Sequence, residues 1–432
     1  MKRILKNTSW LLVGNLFRML FQFAVSVVIA RYLGPEQQGK INYVAAYTAF
    51  FSTIVGLGIN GVIIHELVNH REQGRIVGTA MCLRFIAGLI SLAIMVLLMN
   101  LIETGNHELR WIAVLQAVQL PFAALDTVKY VYQWRLESYR SVIVTSTGYA
   151  VSCLFKVYLV VSEKNVVWFG FAGSLDIMLI GAFYQLSYVR NKEESLSWSF
   201  DAAKRILRGC APFILANLMA FVYSRIDTIM IRYMTGSMEL VGLYGTAVTI
   251  CGLTSFVPTA LLDSARPVIM EAKRTNGVQY QSRMRRLCLA VIAIGAAYSI
   301  FVMAFGRYIL AILYGEDYLG SLGSLQIAVW YTAFSYLGGV KSVWLICENK
   351  SVYVFRFAVL GAAANVLLNA LMIPGLSIRG AAWATLITQC LTNLIFPMLW
   401  KDTRGFAVCV KDAVLLRGTW ELLPLMRKRK DK

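Results

Sequence analysis

Arg18, Lys129, Lys156 and Arg225 each interrupt a long apolar run. A charge at the centre of a bilayer costs about 2.5–3.5 kcal/mol even on the lenient insertion scale, so each needs a water-filled cavity, a partner or a ligand. Polar residues accompany them at helical spacing. Asn15, Arg18, Gln22 and Ser26 fall on one face at i, i+3, i+7 and i+11. Thr145, Tyr149, Ser152 and Lys156 repeat the device, and Gln116, Gln119, Asp126 and Tyr130 form a third stripe with Lys129 three residues after Asp126. Asn217, Ser224 and Thr228 align, flanked by Arg225 and Asp227. One reading is interhelical hydrogen bonds and Asp–Lys pairs that hold a bundle together. The other is an anionic ligand gripped by guanidinium forks and an ammonium. Both stay open for Asp126, Lys129 and Asp227. Ligand contact is preferred for Arg18, Lys156 and Arg225, with Asn15 and Asn217 beside them, because no equal number of deep carboxylates neutralises these cations. Arg84, Arg307 and Lys341 lie near the ends of their runs, where long side chains reach out to the headgroups.

The elements that must carry these stripes are transmembrane helices. The chain of 432 residues is 58% hydrophobic and 15% charged, with a mean hydropathy of +0.61, whereas soluble domains are about a quarter charged. Twelve apolar runs are long enough to span lipid: 8–31, 41–63, 79–102, 111–133, 141–162, 166–188, 208–231, 240–263, 287–312, 322–346, 354–374 and 380–400. The first is too long, and too interrupted by Asn15, Arg18 and Gln22, for a signal peptide. With the N-terminus inside and the spans alternating, inward segments hold 29 Lys and Arg against six in outward segments. That asymmetry places both termini in the cytoplasm.

The longest connection follows span 6 and divides the chain into 1–195 and 196–402, with a basic tail over 403–432 that ends Arg427-Lys428-Arg429-Lys430. The halves echo each other. Arg31-Tyr32-Leu33-Gly34 followed by Gly39 and Tyr43 is matched by Arg232-Tyr233-Met234 followed by Gly242 and Tyr244. Six spans per half make a parallel repeat about an axis along the membrane normal. The expected fold is all-α, with about twelve spans in two six-helix lobes.

The net charge of +19 does not imply nucleic acid, since that needs a basic face on a soluble domain and these cations sit in short loops. The eight Cys lie in or beside apolar segments without a CxxC pair, as small buried hydrophobes do. The three His have no metal-ligand spacing, and no P-loop or GxSxG occurs. A transporter without metal or cofactor is expected, not an enzyme. A membrane polysaccharide polymerase would need large external loops, and every outward loop is about ten residues or shorter.

The stretch from Asn365 to Thr388, with Asn365, Asn369, Ile373-Pro374 and Gly380-Ala381-Ala382, resembles the N-x-x-x-N-x-x-x-IP-x-x-G-x-x-GAA region of polysaccharide flippases. These are the Wzx-type members of the multidrug/oligosaccharidyl-lipid/polysaccharide exporter superfamily. Ser377 stands where glycine is commoner. Leu313-Tyr314-Gly315-Glu316-Asp317-Tyr318, the Ala30–Gly34 junction with Gly39 and Tyr43, and Arg225-Ile226-Asp227 resemble the family too, so that the likeness runs over roughly 8–400. It implies two lobes around a cationic cavity and a cargo of undecaprenyl-pyrophosphate-linked oligosaccharide, moved from inner to outer leaflet of the cytoplasmic membrane. It implies membrane lipids as surroundings, and a polysaccharide polymerase and chain-length regulator as partners. With no ATP-binding motif the drive is an H+ or Na+ gradient, which Asp126 or Asp227 would couple. A peptidoglycan-precursor flippase or a drug/cation antiporter of the same superfamily are the alternatives; antiporters favour acidic cavities.

Overall fold

The protein is described from a computed structural model covering residues 2–70, 72–191, 194–275 and 277–415, with side chains considered except at 2–13, 15, 17, 60, 212 and 216. The run Arg427–Lys430 and the side chain of Asn15 therefore lie outside the described residues. Among those residues there is no strand. The helices are α1 (Lys2–Val55), α2 (Ile59–Asn69), α3 (Gln73–Ile102), α4 (His107–Trp134), α5 (Ser138–Val161), α6 (Val166–Arg190) and α7 (Phe200–Thr235). They continue with α8 (Met238–Gly252), α9 (Phe256–Thr275), α10 (Gly277–Leu313), α11 (Leu322–Cys347), α12 (Val352–Leu376), α13 (Ile378–Leu399) and α14 (Arg404–Val414). Among the described residues eight helices are long and apolar enough to cross a membrane, or nine if α8 and α9, bent by 41°, make one span.

The chain forms two compact units: Met1–Leu243 with Leu313–Asp317, and Tyr244–Ile312 with Tyr318–Lys432. The core of the first gathers Ile63, Ile76, Val131, Tyr132 and Ile206, and that of the second Val291, Val340, Leu345, Phe357 and Phe406. The outward-pointing residues of the long helices are as apolar as the cores. Leu101, Leu154, Ile312 and Leu371 are all exposed, as lipid-facing positions must be. Cys82 departs from the expected burial and is exposed.

α1 is two helices joined at a kink at Gly34, whose φ of 71° favours glycine, followed by Pro35, which suits a first helical position. α7 ends on Gly236 with φ 70°, so the echoed sequence becomes an echoed turn. A Cβ on Gly39 would collide with the Met238 carbonyl, and one on Gly242 with the Pro35 carbonyl, each four residues before the opposite glycine. Backbones come this close only where side chains are missing.

Three expected spans differ in detail. Span 2 stops at Val55, turns through Leu57 (φ 51°) and Gly58 (φ 62°), and resumes as α2. Span 8 breaks likewise after Gly252. Span 4 passes through a 3-10 segment at Ala123–Val128, just after Pro121, so Gln119 and Asp126 do not share the face that a continuous 3.6-residue period assigns them. The start of the expected tail is α14, which docks Phe406, Ala407, Val410 and Ala413 into the second unit.

The family-like stretch 365–388 is a helix–helix lock. Asn365 Nδ2 donates to Thr388 Oγ1 (3.3 Å), and Asn369 Nδ2 to Asn365 O and Oδ1 (2.9 and 3.0 Å), all fully buried. Gly380 leaves room for the Met372 carbonyl. Between α12 and α13 sits Ser377, at φ 54° and ψ −134° with its hydroxyl buried and unbonded. Such a backbone belongs to glycine and strains other residues by about 1–3 kcal/mol. Ser377→Gly is expected to raise the melting temperature of the detergent-solubilised protein, with a gain of about 1 kcal/mol or more. Unchanged or lower stability by scanning fluorimetry would contradict the strain.

Candidate functional site

The second span is broken in each half of the sequence, at 56–58 and at 253–255. A broken span frees backbone groups that lipid cannot satisfy, so it persists only against protein or water, and matched breaks point to ligand sites in transporters. The first break opens onto a cavity of about 500 Å³ in the first unit. Gly56 and Gly58 form one wall, and α7 supplies Asn217, Ser224 and Arg225 to the other. Ser224 returns its hydroxyl to the Ala220 and Phe221 carbonyls (2.8 and 3.1 Å). Asn217 and Arg225 are exposed, and Arg225 makes no ion pair or hydrogen bond among the described residues. The cavity therefore carries a guanidinium and an amide that are both unengaged by carboxylates.

Asp227, two residues on, points elsewhere: it is 4% exposed and accepts from the Thr228 amide at 2.7 Å. The helical period turns neighbouring residues to different faces, which splits this Arg–Asp pair between the cavity and the packed side of α7.

Arg18 and Lys156 do not line that cavity. The stripes of α1 and α5 face one another, with the Arg18 guanidinium 5.5 Å from the centre of the Tyr149 ring. Further along α5, Lys156 Nζ donates to both oxygens of Asp176 on α6, at 2.9 and 2.7 Å, in side chains only 14% and 15% exposed. Asp176 is a mid-span carboxylate that belongs to none of the four polar stripes. Its pairing supplies the counter-charge that Lys156 was taken to lack.

Asp126 sits between two cations. Arg84 Nη1 reaches Oδ1 and Lys129 Nζ reaches Oδ2, both at 2.6 Å, and Arg84 also donates to Thr127 Oγ1 (2.8 Å) and Val55 O (3.4 Å). Arg84 is 5% exposed and does not snorkel as expected. Neither does Lys341, also 5% exposed, whose Nζ donates to Thr392 O (2.9 Å) and Asn393 Oδ1 (2.8 Å) beneath the Phe357 ring. The π-turn Leu391–Ile395 explains this: the wider turn leaves carbonyls unclaimed by the helix ladder, and the ammonium takes one. Of the three residues expected to reach the headgroups, Arg307 alone is exposed. No group of three metal-ligating side chains occurs among the described residues.

Asp176→Asn would leave Lys156 buried without a counter-charge. A loss of about 3–5 kcal/mol is expected, read as a lower melting temperature, with most of it recovered in Lys156→Met/Asp176→Asn. Equal stability of the single and double variants would show that the pair contributes nothing.

Residues 4–273 match the family described as "Polysaccharide biosynthesis protein". The chain is 22% identical to the capsular polysaccharide biosynthesis protein CapF of Staphylococcus aureus over 410 residues, covering 92% of this chain and 99% of that one. It is 28% identical over 193 residues to the probable flippase AglR of Haloferax volcanii, covering 42% and 38%. In three dimensions it is similar to an inward-facing multidrug resistance MATE family transporter of the MOP superfamily, with a TM-score of 0.72, 15% identity and coverage of 91% and 96%. That fold has twelve helices in two lobes.

Proposed function

This chain belongs to the polysaccharide biosynthesis protein family of flippase-type membrane transporters, and we propose that its cargo is a lipid-linked oligosaccharide, carried from the inner to the outer leaflet of the cytoplasmic membrane. The observation that carries the proposal is Arg225, a mid-span guanidinium exposed in a cavity and free of any carboxylate. Its positive charge has a cost in a membrane that an anionic cargo offsets. The pyrophosphate of an undecaprenyl-pyrophosphate carrier has the oxygens that a guanidinium fork binds two at a time, and the polyprenyl tail stays in lipid. Asn217 on the same wall suits a sugar hydroxyl. A drug/cation antiporter reading fits less well, since a lone cation in the cavity repels such cargo.

Arg18, with Asn15 on the same face of α1 by helical spacing, is the second proposed contact, because the Tyr149 ring packs against its guanidinium without neutralising it. Lys156 joins the site only if cargo competes with Asp176 for its ammonium. For coupling to an H+ or Na+ gradient the candidates are Asp227 and Asp126, the latter with both oxygens engaged by Arg84 and Lys129. The reading makes the protein a transporter and not an enzyme, with both termini cytoplasmic as the 29 to six split of basic residues requires. It makes a polysaccharide polymerase and a chain-length regulator its partners downstream.

Arg225→Ala and Arg18→Ala should each lower surface polysaccharide at least about tenfold, the loss of one charge-assisted hydrogen bond of about 1.5–3 kcal/mol, with the amount of protein in the membrane unchanged. Arg225→Lys should retain more than Arg225→Ala. Cells lacking the protein should accumulate the undecaprenyl-pyrophosphate repeat unit on the cytoplasmic side. Wild-type polysaccharide from both alanine variants would remove the two residues from the site, and no accumulation would remove the cargo.

A further inference from the structure

The second unit has a cavity of its own, of about 550 Å³, where α9 meets α10, α11 meets α12 and α13 meets α14. Two spans separate each of these connections from the next, so all three reach the same membrane face. It is the face to which the basic residues assign the cytoplasm.

Its charges do not balance. Lys273 pairs with Glu348 (2.6 Å) and Arg285 with Asp412 (2.9 Å), while Asp402 accepts from the Tyr353 hydroxyl (2.5 Å). All three lining carboxylates are thereby engaged. Two lining cations remain without a carboxylate. Lys350 donates to the Asp402 backbone carbonyl and lies 5.5 Å from the centre of the Trp344 ring, and Lys401 makes no ion pair or hydrogen bond among the described residues. A third group points the same way. The Tyr280 side chain is 95% buried, yet its hydroxyl lies beside Glu348 without a well-formed hydrogen bond, leaving a donor for another acceptor. So the cavity offers two ammonium groups without a carboxylate, one of them bonded only to a backbone carbonyl, and a phenol, over a floor of Trp344.

The surroundings are those of a membrane boundary. α14 forms one wall and buries its apolar side in the unit, yet it leaves Val408, on the cavity, and Val414 exposed. Val278 is exposed at the start of α10. Apolar surface beside a cationic, aromatic-floored recess is the pattern of a lipid headgroup with its acyl chains alongside.

We propose that this recess binds the phosphate of an anionic membrane phospholipid on the cytoplasmic side, with Lys350 and Lys401 as its cations and Tyr280 as a hydroxyl donor. The site is separate from the Arg225 cavity and does not depend on the cargo assigned there. It gives the second unit a fixed, charge-selective attachment to the inner leaflet. Each lysine near an anionic surface is worth about 1 kcal/mol, so losing both should weaken binding at least about tenfold.

The test uses the full-length protein, stripped of lipid in neutral detergent, with phosphatidylglycerol, phosphatidylcholine of the same acyl chains, or inorganic pyrophosphate added. Binding is read by native mass spectrometry and by melting temperature. Phosphatidylglycerol should bind and stabilise the wild type more than phosphatidylcholine does. Lys350→Gln/Lys401→Gln should lose that difference, while Lys350→Arg/Lys401→Arg keeps it. Arg274→Gln/Lys411→Gln removes two exposed cations of the same unit that do not line the recess and should also keep it. The proposal is overturned if the glutamine pair retains full preference for phosphatidylglycerol, or if Arg274→Gln/Lys411→Gln loses as much. Stabilisation by pyrophosphate with none by phosphatidylglycerol would assign the recess to a soluble anion and overturn the lipid.

Discussion

A charge taken out of water must be paired, cradled by dipoles or given its water back, and this requirement organises the interior of the chain. All three solutions occur. Asp126 is paired twice, with Arg84 and Lys129, and Lys156 is paired once, with Asp176. Lys341 has no carboxylate and is held by a carbonyl and an amide oxygen that a π-turn releases. Arg225 is the third case, kept wet by a cavity. The first two kinds hold helices to one another and are satisfied within the protein. The third leaves a charge for something else to meet, as does Arg18 against the Tyr149 ring, which is why these two arginines outweigh a longer list of cations in the functional reading.

The same distinction explains how much could be read in the sequence. The all-α class and the end of the first run at Gly34 were legible, because apolar run length is a local property. The family-like stretch 365–388 was legible as a pattern. Its role as a lock of buried amides between α12 and α13 was not, since Thr388 lies 23 residues from Asn365 and meets it only after folding. Asp176 was missed for a similar reason: the ion pair crosses from α5 to α6, and a stripe on one helix says nothing about its neighbour. Arg84 and Lys341 were misplaced because distance from the end of an apolar run was taken for depth. Burial depends on which way the helix is turned, and both residues face inward.

Irregular backbone was the hardest to foresee. The 3-10 passage in α4, the π-turn in α13 and the breaks after Val55 and Gly252 all disturb the 3.6-residue period on which stripes depend. They occur where polar groups gather. Pro121, Gly56 with Gly58, and Gly252 could have flagged three of them, since proline and glycine mark such sites. The π-turn has such a residue only beyond its end, Pro397, which cannot donate to the Asn393 carbonyl four residues back.

The glycine contact between the two echoed turns has a bearing on how this sequence can vary. Gly39 and Gly242 each make room for a carbonyl four residues before the other, so the contact exists only while both lack a side chain. Whichever position acquires one first already pushes the helices apart, and the second change then meets space that the first has opened. The two sites, 203 residues apart, therefore behave as a single heritable unit. Their effects combine to less than their sum, and neither can drift while the other is held.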